Sequence, residues 1–380
     1  MNNIAITANT SWYIYNFRKN TIIELINRGI TVHVISPFDD YTGKLRALGC
    51  MVHDIKIDGR GINPVTDAFT CLNFLRLYLK IKPQAILNFT PKNNIYSSLA
   101  AAPLRIPVIN NIAGLGHAFI NDGLLNKIVR ALYKISQQRA EYIFFQNEED
   151  MAVFRKHNIG SAAIKKRIPG SGADLTRFSF TPVQKAKTIK FLLSARMLKE
   201  KGVYLFADAA RHFKQKYGNK VDFSLLGFCD AQHPSGVNIE EINTWVDEGI
   251  INYLGVTDKV ESVLRDVHCV VLPSYYREGV PKSLLEAGAM GKPIITTDNV
   301  GCRETVVDGF NGYLCEPGCL TSLMEAIEKI IKSSEHELAQ LGKNSRKHIA
   351  SHFDEAIVIN KYLSSISQVT RHRSQLLIHP

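Results

Sequence analysis

The stretch Ser274–Asp298, SYYREGVPKSLLEAGAMGKPIITTD, carries two glutamates, Glu278 and Glu286, on either side of Pro281. It extends the apolar run CVVLP, so the pattern predicts a strand, then a loop holding Glu278, then a helix body over Ser283–Met290 with Glu286 on its second turn. Pro281 falls in the first helical turn, where its fixed φ is favoured. A second cluster, SARMLKEKG, sets Arg196 and Lys201 between the end of a strand and a helix beginning near Gly202. Eight helical residues span roughly 12 Å, whereas the carboxyls of a glycosidase pair lie about 5–9.5 Å apart. The pair therefore suits a longer ligand with hydroxyls at both ends. A sugar nucleotide is such a ligand: carboxylates accept hydrogen bonds from vicinal hydroxyls, and the helix N-terminus between them attracts a diphosphate. Arg196 and Lys201 would neutralise the charge that grows as a nucleoside diphosphate departs. Read alone, an Arg and a Lys in a loop also fit an ordinary solvated surface.

The elements that must position these residues follow from composition and periodicity. A chain of 380 residues, 45% apolar and 21% charged, is globular and long enough for two domains. Its seven cysteines are odd in number, scattered and without zinc-site spacing, which reads as reduced thiols in a cytosolic protein. The N-terminus MNNIAITANTSW runs straight into a strand-like pattern rather than a signal peptide, and no apolar run approaches the ~20 residues of a membrane span. The expectation is a chain neither exported nor anchored by a span.

Short apolar runs (IAITA from Ile4, VHVIS from Val32, AILNF from Ala85, PVINNIA from Pro107, YIFFQ from Tyr142) alternate with helical segments at 16–27, 66–80 and 124–138. After the polar linker RFSFTPVQKAKT the alternation restarts with IKFLLSA from Ile189, VDFSLLGF, CVVLPS and KPIITT. Two α/β domains, each a doubly wound parallel sheet, are expected, divided as 1–183 and 184–353. Ligands of such sheets lie beyond the carboxyl ends of the strands, so two facing domains would form a cleft. Residues 354–380 would supply a helix from Asp354 to about Ser367 and a mobile basic tail.

With these motifs in place, SARMLKEKG, SYYREGVPKSLLEAGAMGKPIITTD and VGCRETVVDGFNGYLCEPG resemble the successive C-domain motifs of family 4 glycosyltransferases, retaining enzymes of the GT-B fold with two Rossmann-like domains. SWYIYNFRKNTIIELINRG, GLGHAFI, FFQNEEDMAVF and IPGSGADLTRF extend the resemblance to members that build bacterial surface polysaccharides, the O-antigens and capsules. It implies that Glu278 contacts the donor sugar and Glu286 the ribose, and that Arg196, Lys201 and the backbone N–H groups of Gly279 and Val280 hold the diphosphate. It further implies attack by the acceptor hydroxyl from the leaving-group side, with a phosphate oxygen taking the proton, so that no side-chain nucleophile is needed. The donor would be a nucleotide-diphosphate sugar, by family weight a UDP-sugar. Where many relatives carry a Gly-Gly pair beside the diphosphate, this chain has Asn9-Thr10-Ser11-Trp12, so Ser11 and backbone N–H groups would serve instead. No Asp-x-Asp occurs, and Glu148-x-Asp150 opens a helical pattern where acidic residues favour the dipole, so neither metal nor another cofactor is expected.

The acceptor side is read from the N-terminal half. Gly114 and Gly116 permit close backbone approach, and His117 follows as a candidate contact to sugar or acceptor. Phe119 stands where a dinucleotide fingerprint needs its third glycine, which argues against a nicotinamide enzyme. Residues 1–183 hold 22 Lys+Arg against 12 Asp+Glu, or +10, while 184–380 hold 24 against 23, or +1. Within that basic half, Lys127, Arg130 and Lys134 share a helical segment with an apolar face of Leu125, Ile128, Val129 and Leu132. Such a helix fits an anionic leaflet, although an ordinary surface helix has the same pattern. No nucleic-acid motif is present. The resemblance adds a lipid-linked glycan on undecaprenyl diphosphate as acceptor and a peripheral place on the cytoplasmic face of the plasma membrane, with the terminal helix packing toward the N-terminal domain. A GT-B nucleotide-sugar epimerase and a catalytically silent membrane scaffold are the alternatives.

Overall fold

The computed structural model describes residues 3–59, 61, 63–115, 119, 123–184, 186–230 and 232–378. The chain folds as two compact units, one formed by 1–171 with 356–380 and the other by 172–355.

In unit 1 the order is β1 (Asn3–Thr7), α1 (Ser11–Asn27), β2 (Thr31–Ile35), α2 (Thr42–Ala47), β3 (Met51–His53), α3 (Pro64–Ile81) and β4 (Ala85–Asn88). A π-helical turn, Asn93–Ser97, leads into α4 (Ser98–Ala101), followed by β5 (Val108–Ile112), α5 (Leu124–Ser136), β6 (Ala140–Phe145), α6 (Glu148–Lys156) and β7 (Ile164–Arg167). The strands form one parallel sheet in the order β3-β2-β1-β4-β5-β6-β7. Runs such as NIAIT and AILN are buried almost throughout, their polar ends included, because helices cover both faces of the sheet. Helix starts follow local chemistry. Thr10 caps α1 by accepting from the Tyr13 N–H at 3.0 Å, and Asn147 caps α6, whose first turn holds Glu148, Glu149 and Asp150.

Unit 2 repeats the plan with β8 (Ile189–Ser194), α7 (Val203–Tyr217), β9 (Val221–Leu226), α8 (Ile239–Asp247), β10 (Asn252–Tyr253), α9 (Val260–Arg265), β11 (Cys269–Leu272), α10 (Lys282–Ala289), β12 (Ile294–Thr297), β13 (Gly312–Cys315), α11 (Leu320–Lys332) and α12 (Glu335–His352). Its parallel order is β10-β9-β8-β11-β12-β13. Phe191, Phe206, Phe213 and Phe223 fill one face, and Leu192, Val270, Leu284 and Ile294 the other. Each such side chain contributes about 1.5–3 kcal/mol on burial. The last helix, α13 (Glu355–Ile378), buries Val358, Tyr362, Ile366 and Val369 in the core of unit 1. Among the described residues no helix is long and apolar enough to cross a membrane.

Two expected boundaries move. The units divide at 171/172, not 183/184, because the segment after Gly172 is bonded into unit 2. Ala173 N–H donates to Phe353 O at 2.7 Å and Thr181 N–H to Met290 O at 3.0 Å, while the Arg346 guanidinium donates to the carbonyls of Phe178 and Ala289. The terminal helix continues to Ile378 instead of ending near Ser367 before a mobile tail.

Candidate active site

In unit 2 the strand order reverses between β8 and β11, and the crevice beyond the carboxyl ends of two such strands is where an open α/β sheet binds ligands. Arg196 and Lys201 follow β8, and Ser274 and Glu278 follow β11. The Lys201 ammonium donates to Glu278 Oε1, and the Ser274 hydroxyl donates to the same oxygen at 2.8 Å. Oε2 has no partner among the described residues. The pair is mostly enclosed, with side chains 14% and 13% exposed. Arg196 is exposed, and its guanidinium makes no hydrogen bond or ion pair among the described residues. The site thus offers a fixed carboxylate oxygen, a cation that carboxylate already orients, and a second cation open to solvent.

Backbone geometry brings these loops together. Lys201 ends a short 3-10 turn that Gly202 closes at φ +76, where a Cβ would lie 2.3 Å from Pro273 O, so only glycine fits. Tyr275 N–H donates to Glu200 O at 3.0 Å, joining the two loops directly. Beneath the Glu278 loop, Gly301 has φ +81, and a Cβ there would meet Gly279 O at 2.0 Å. Asn299 Nδ2 donates to Tyr276 O at 2.9 Å from the same side. Cys302 lies close by as a buried thiol that burial, and next the Glu278 charge, push up to about 12, so it is inert. Sequence reading missed Ser274, Asn299 and Gly301 as supports. The only signal was their presence inside motifs, since their partners lie on other loops.

Val280 is buried, and Pro281 is the N-cap of α10 rather than a residue of its first turn. Glu286 sits on the second turn of α10, as its spacing predicts. Its carboxylate makes no hydrogen bond among the described residues. Although part of its surface stays open, loss of hydration raises its pKa, and Lys282 and Arg177 offset this only in part. A carboxylate so placed gains from a ligand hydroxyl that restores a hydrogen bond.

The candidates in unit 1 fare differently. The Ser11 hydroxyl is buried and engaged with Ser36 Oγ at 2.9 Å, Pro37 O at 3.1 Å and Thr42 Oγ1 at 3.2 Å, so it joins α1 to α2 instead of facing a ligand. The neighbouring N–H groups are also occupied, Trp12 by Asp39 and Tyr13 by Thr10. Gly116 and His117 lie outside the described residues. On α5, Lys127 and Lys134 are exposed, whereas Arg130 is half-buried and bonds to Asn126 O at 3.4 Å. Ile128 is 49% exposed and Ile135 56%, so Ile128 belongs to the outward stripe with the two lysines and not to the core face.

Comparison with known proteins decides the family. Residues 176–348 match the model described as "Glycosyl transferases group 1", and residues 3–147 that described as "Glycosyl transferase 4-like". Over 377 residues the chain is 30% identical to an N,N'-diacetylbacillosaminyl-diphospho-undecaprenol alpha-1,3-N-acetylgalactosaminyltransferase of Campylobacter jejuni, covering 94% of this chain and 96% of that one. The chain is a glycosyltransferase. Arg196, Lys201, Glu278 and Glu286 of this glycosyltransferase all fall within the group 1 match. It also shares 23% identity, over 78% of both chains, with a UDP-Gal:alpha-D-GlcNAc-diphosphoundecaprenol alpha-1,3-galactosyltransferase of Escherichia coli. Among solved structures it is similar to Anabaena Alr3699/HepE in complex with UDP and glucose, at a TM-score of 0.78 and 16% identity, covering 97% of this chain and 100% of that one. That likeness identifies the fold as GT-B.

Proposed function

We propose that this glycosyltransferase moves a hexose or N-acetylhexosamine from a UDP-sugar to a glycan carried on undecaprenyl diphosphate, with retention of anomeric configuration, during assembly of an O-antigen or capsule. The observation that carries the donor side is the Glu278 carboxylate, held on Oε1 by Lys201 and Ser274, with the exposed Arg196 after the neighbouring strand β8. Oε2 would accept from a donor-sugar hydroxyl and Glu286 from the ribose, while Arg196 and Lys201 draw the diphosphate against α10 and the Gly279–Val280 backbone. The acceptor hydroxyl would attack the anomeric carbon on the face the diphosphate leaves. The carbon–oxygen bond to phosphate breaks, a phosphate oxygen takes the hydroxyl proton, and the two cations hold the charge released. On this reading turnover needs no metal.

The similarity over nearly full length to a transferase named for a diphospho-undecaprenol substrate supports the acceptor class. The Lys127, Ile128, Lys134 and Ile135 stripe of α5 supports a peripheral position on the anionic cytoplasmic leaflet. The test is release of nucleoside diphosphate from a panel of UDP- and GDP-sugars, with chelator present, with and without a short-chain undecaprenyl-diphosphate sugar. Release from one UDP-sugar that depends on the acceptor is expected, with the α-linkage visible by NMR. Conversion without acceptor would indicate an epimerase, and an inverted product would remove the retaining step.

A further inference from the structure

Arg18 of α1 is 1% exposed, yet its Nε and Nη1 have no hydrogen-bond partner, and Nη2 reaches only the Tyr13 hydroxyl at 3.4 Å. It forms no ion pair with a carboxylate among the described residues. A guanidinium removed from water without a counter-charge is strongly destabilising, so these orphan donors point to a partner of opposite charge. Its surroundings supply the rest of a cage. The guanidinium carbon lies 4.3 Å from the centroid of Phe89 and 5.5 Å from that of Tyr362. Tyr362 of α13 is fully buried, packs edge-on against Phe89 at 5.7 Å and Phe144 at 5.3 Å, and leaves its hydroxyl without a partner. Asn111 of β5 pairs in register with Phe144, and so projects to the same side of the sheet. It is 1% exposed, and both ends of its amide are unpartnered.

Three buried polar side chains from three elements therefore flank Phe89 and Phe144 with most of their hydrogen-bonding capacity unused. Arg18 and Phe89 follow β1 and β4, the two strands between which the order of the first sheet reverses, and a helical side chain leans back toward its own N-terminus. The guanidinium is thus directed to the carboxyl edge of the sheet. The available groups are chiefly donors: guanidinium N–H, phenol O–H and amide N–H₂.

We propose that Arg18, Tyr362 and Asn111 form an internal binding site for one small inorganic anion, of halide or phosphate size, which ties α13 to the sheet of unit 1. With Arg18, Asn111 and Tyr362 each no more than 1% exposed, the position favours a free ion over a phosphate carried on a lipid. The inference does not depend on the transferase reading, and stability rather than turnover tests it. Melting would be followed in chloride, phosphate and gluconate at equal ionic strength, for the wild type, R18M and Y362F. The expected result is a saturable rise of about 3–6 °C in chloride or phosphate over gluconate, once the ion exceeds its Kd about tenfold, abolished in R18M and weakened in Y362F. Bromide-soaked crystals of the wild type should show an anomalous peak within hydrogen-bond distance of Arg18. Equal melting in all three anions, an undiminished anion response in both variants, or only water beside Arg18 in crystals soaked in bromide and in crystals soaked in phosphate would overturn the proposal.

Discussion

The two units share an architecture and treat charge in opposite ways. Unit 1 holds 24 Lys+Arg against 11 Asp+Glu, or +13, and unit 2 holds 22 against 24, or −2. Unit 2 pairs its charges, with Lys201 to Glu278, Arg177 to Glu261, Arg211 to Glu248 and Lys216 to Glu328. Unit 1 leaves its excess uncompensated and buries amides instead. Asn88 donates to Asn110 at 2.8 Å, Asn94 donates to Asn111 O at 2.9 Å, and Gln137 donates to Asn94 O at 2.8 Å. A doubly wound sheet decides where a ligand can sit, and the residues following its strands decide which one. In unit 2 a nearly neutral domain concentrates two cations at one strand end. In unit 1 a diffuse positive field suits an extended anionic partner.

If the division holds, the largest effect comes from unit 2. Glu278→Gln keeps shape but removes the charge that orients Lys201, and we expect kcat to fall about 10²–10³-fold with melting little changed. Near-normal initial rates would place the chemistry elsewhere. Next is Gly301→Ala, which puts a Cβ against Gly279 O at a φ of +81. It should destabilise unit 2 by about 2 kcal/mol or more and lower kcat/KM, as denaturant midpoints and donor titrations would register. Smaller still, Lys127→Glu with Lys134→Glu should weaken binding to anionic vesicles about tenfold or more in sedimentation, while turnover of a soluble acceptor stays unchanged. A matching loss on the soluble acceptor would break the comparison.

The smallest effect at neutral pH separates the units by titration. His33 Nδ1 and His53 Nε2 of unit 1 lie 3.0 Å apart, within hydrogen-bond distance, and burial lowers both their pKa values. Below about 6.5 the unfolded chain binds more protons, so unit 1 loses stability as pH falls. Lys292 of unit 2 is buried, donates to Arg265 O, and is lowered to about 8 by burial. Between that value and 10.5 the unfolded chain again binds more protons, so unit 2 gains stability as pH rises. His33→Gln with His53→Gln should flatten the acid limb of the melting profile, and Lys292→Met the alkaline limb.

Legibility followed the same division. Central strands and long helices stood out because burial on both faces demands continuous apolar runs, and Glu278 and Glu286 were found because their loop and helix lie in one stretch. Edge strand β7, IKKR, is half-exposed and carries no apolar signal. The stretch RFSFTPVQKAKT, 177–188, reads as a linker because it is polar, although hydrogen bonds from Thr181 N–H to Met290 O and from Arg346 to Phe178 O fix its first half in unit 2. Ser11 stands where relatives carry a Gly-Gly pair beside the diphosphate, and only its three partners reveal a structural hydroxyl. Nothing in the local pattern of α1 marks Arg18 as buried.

By itself the sequence determined two parallel α/β domains, the glycosyltransferase motifs and the placement of Arg196, Lys201, Glu278 and Glu286 at strand ends, because these rest on periodicity and local spacing. Only the tertiary structure decided that Lys201 and Ser274 share one oxygen of Glu278 and that Arg18 is enclosed by aromatic rings. Those outcomes depend on which distant segments exclude water from a given side chain, and local composition does not encode that.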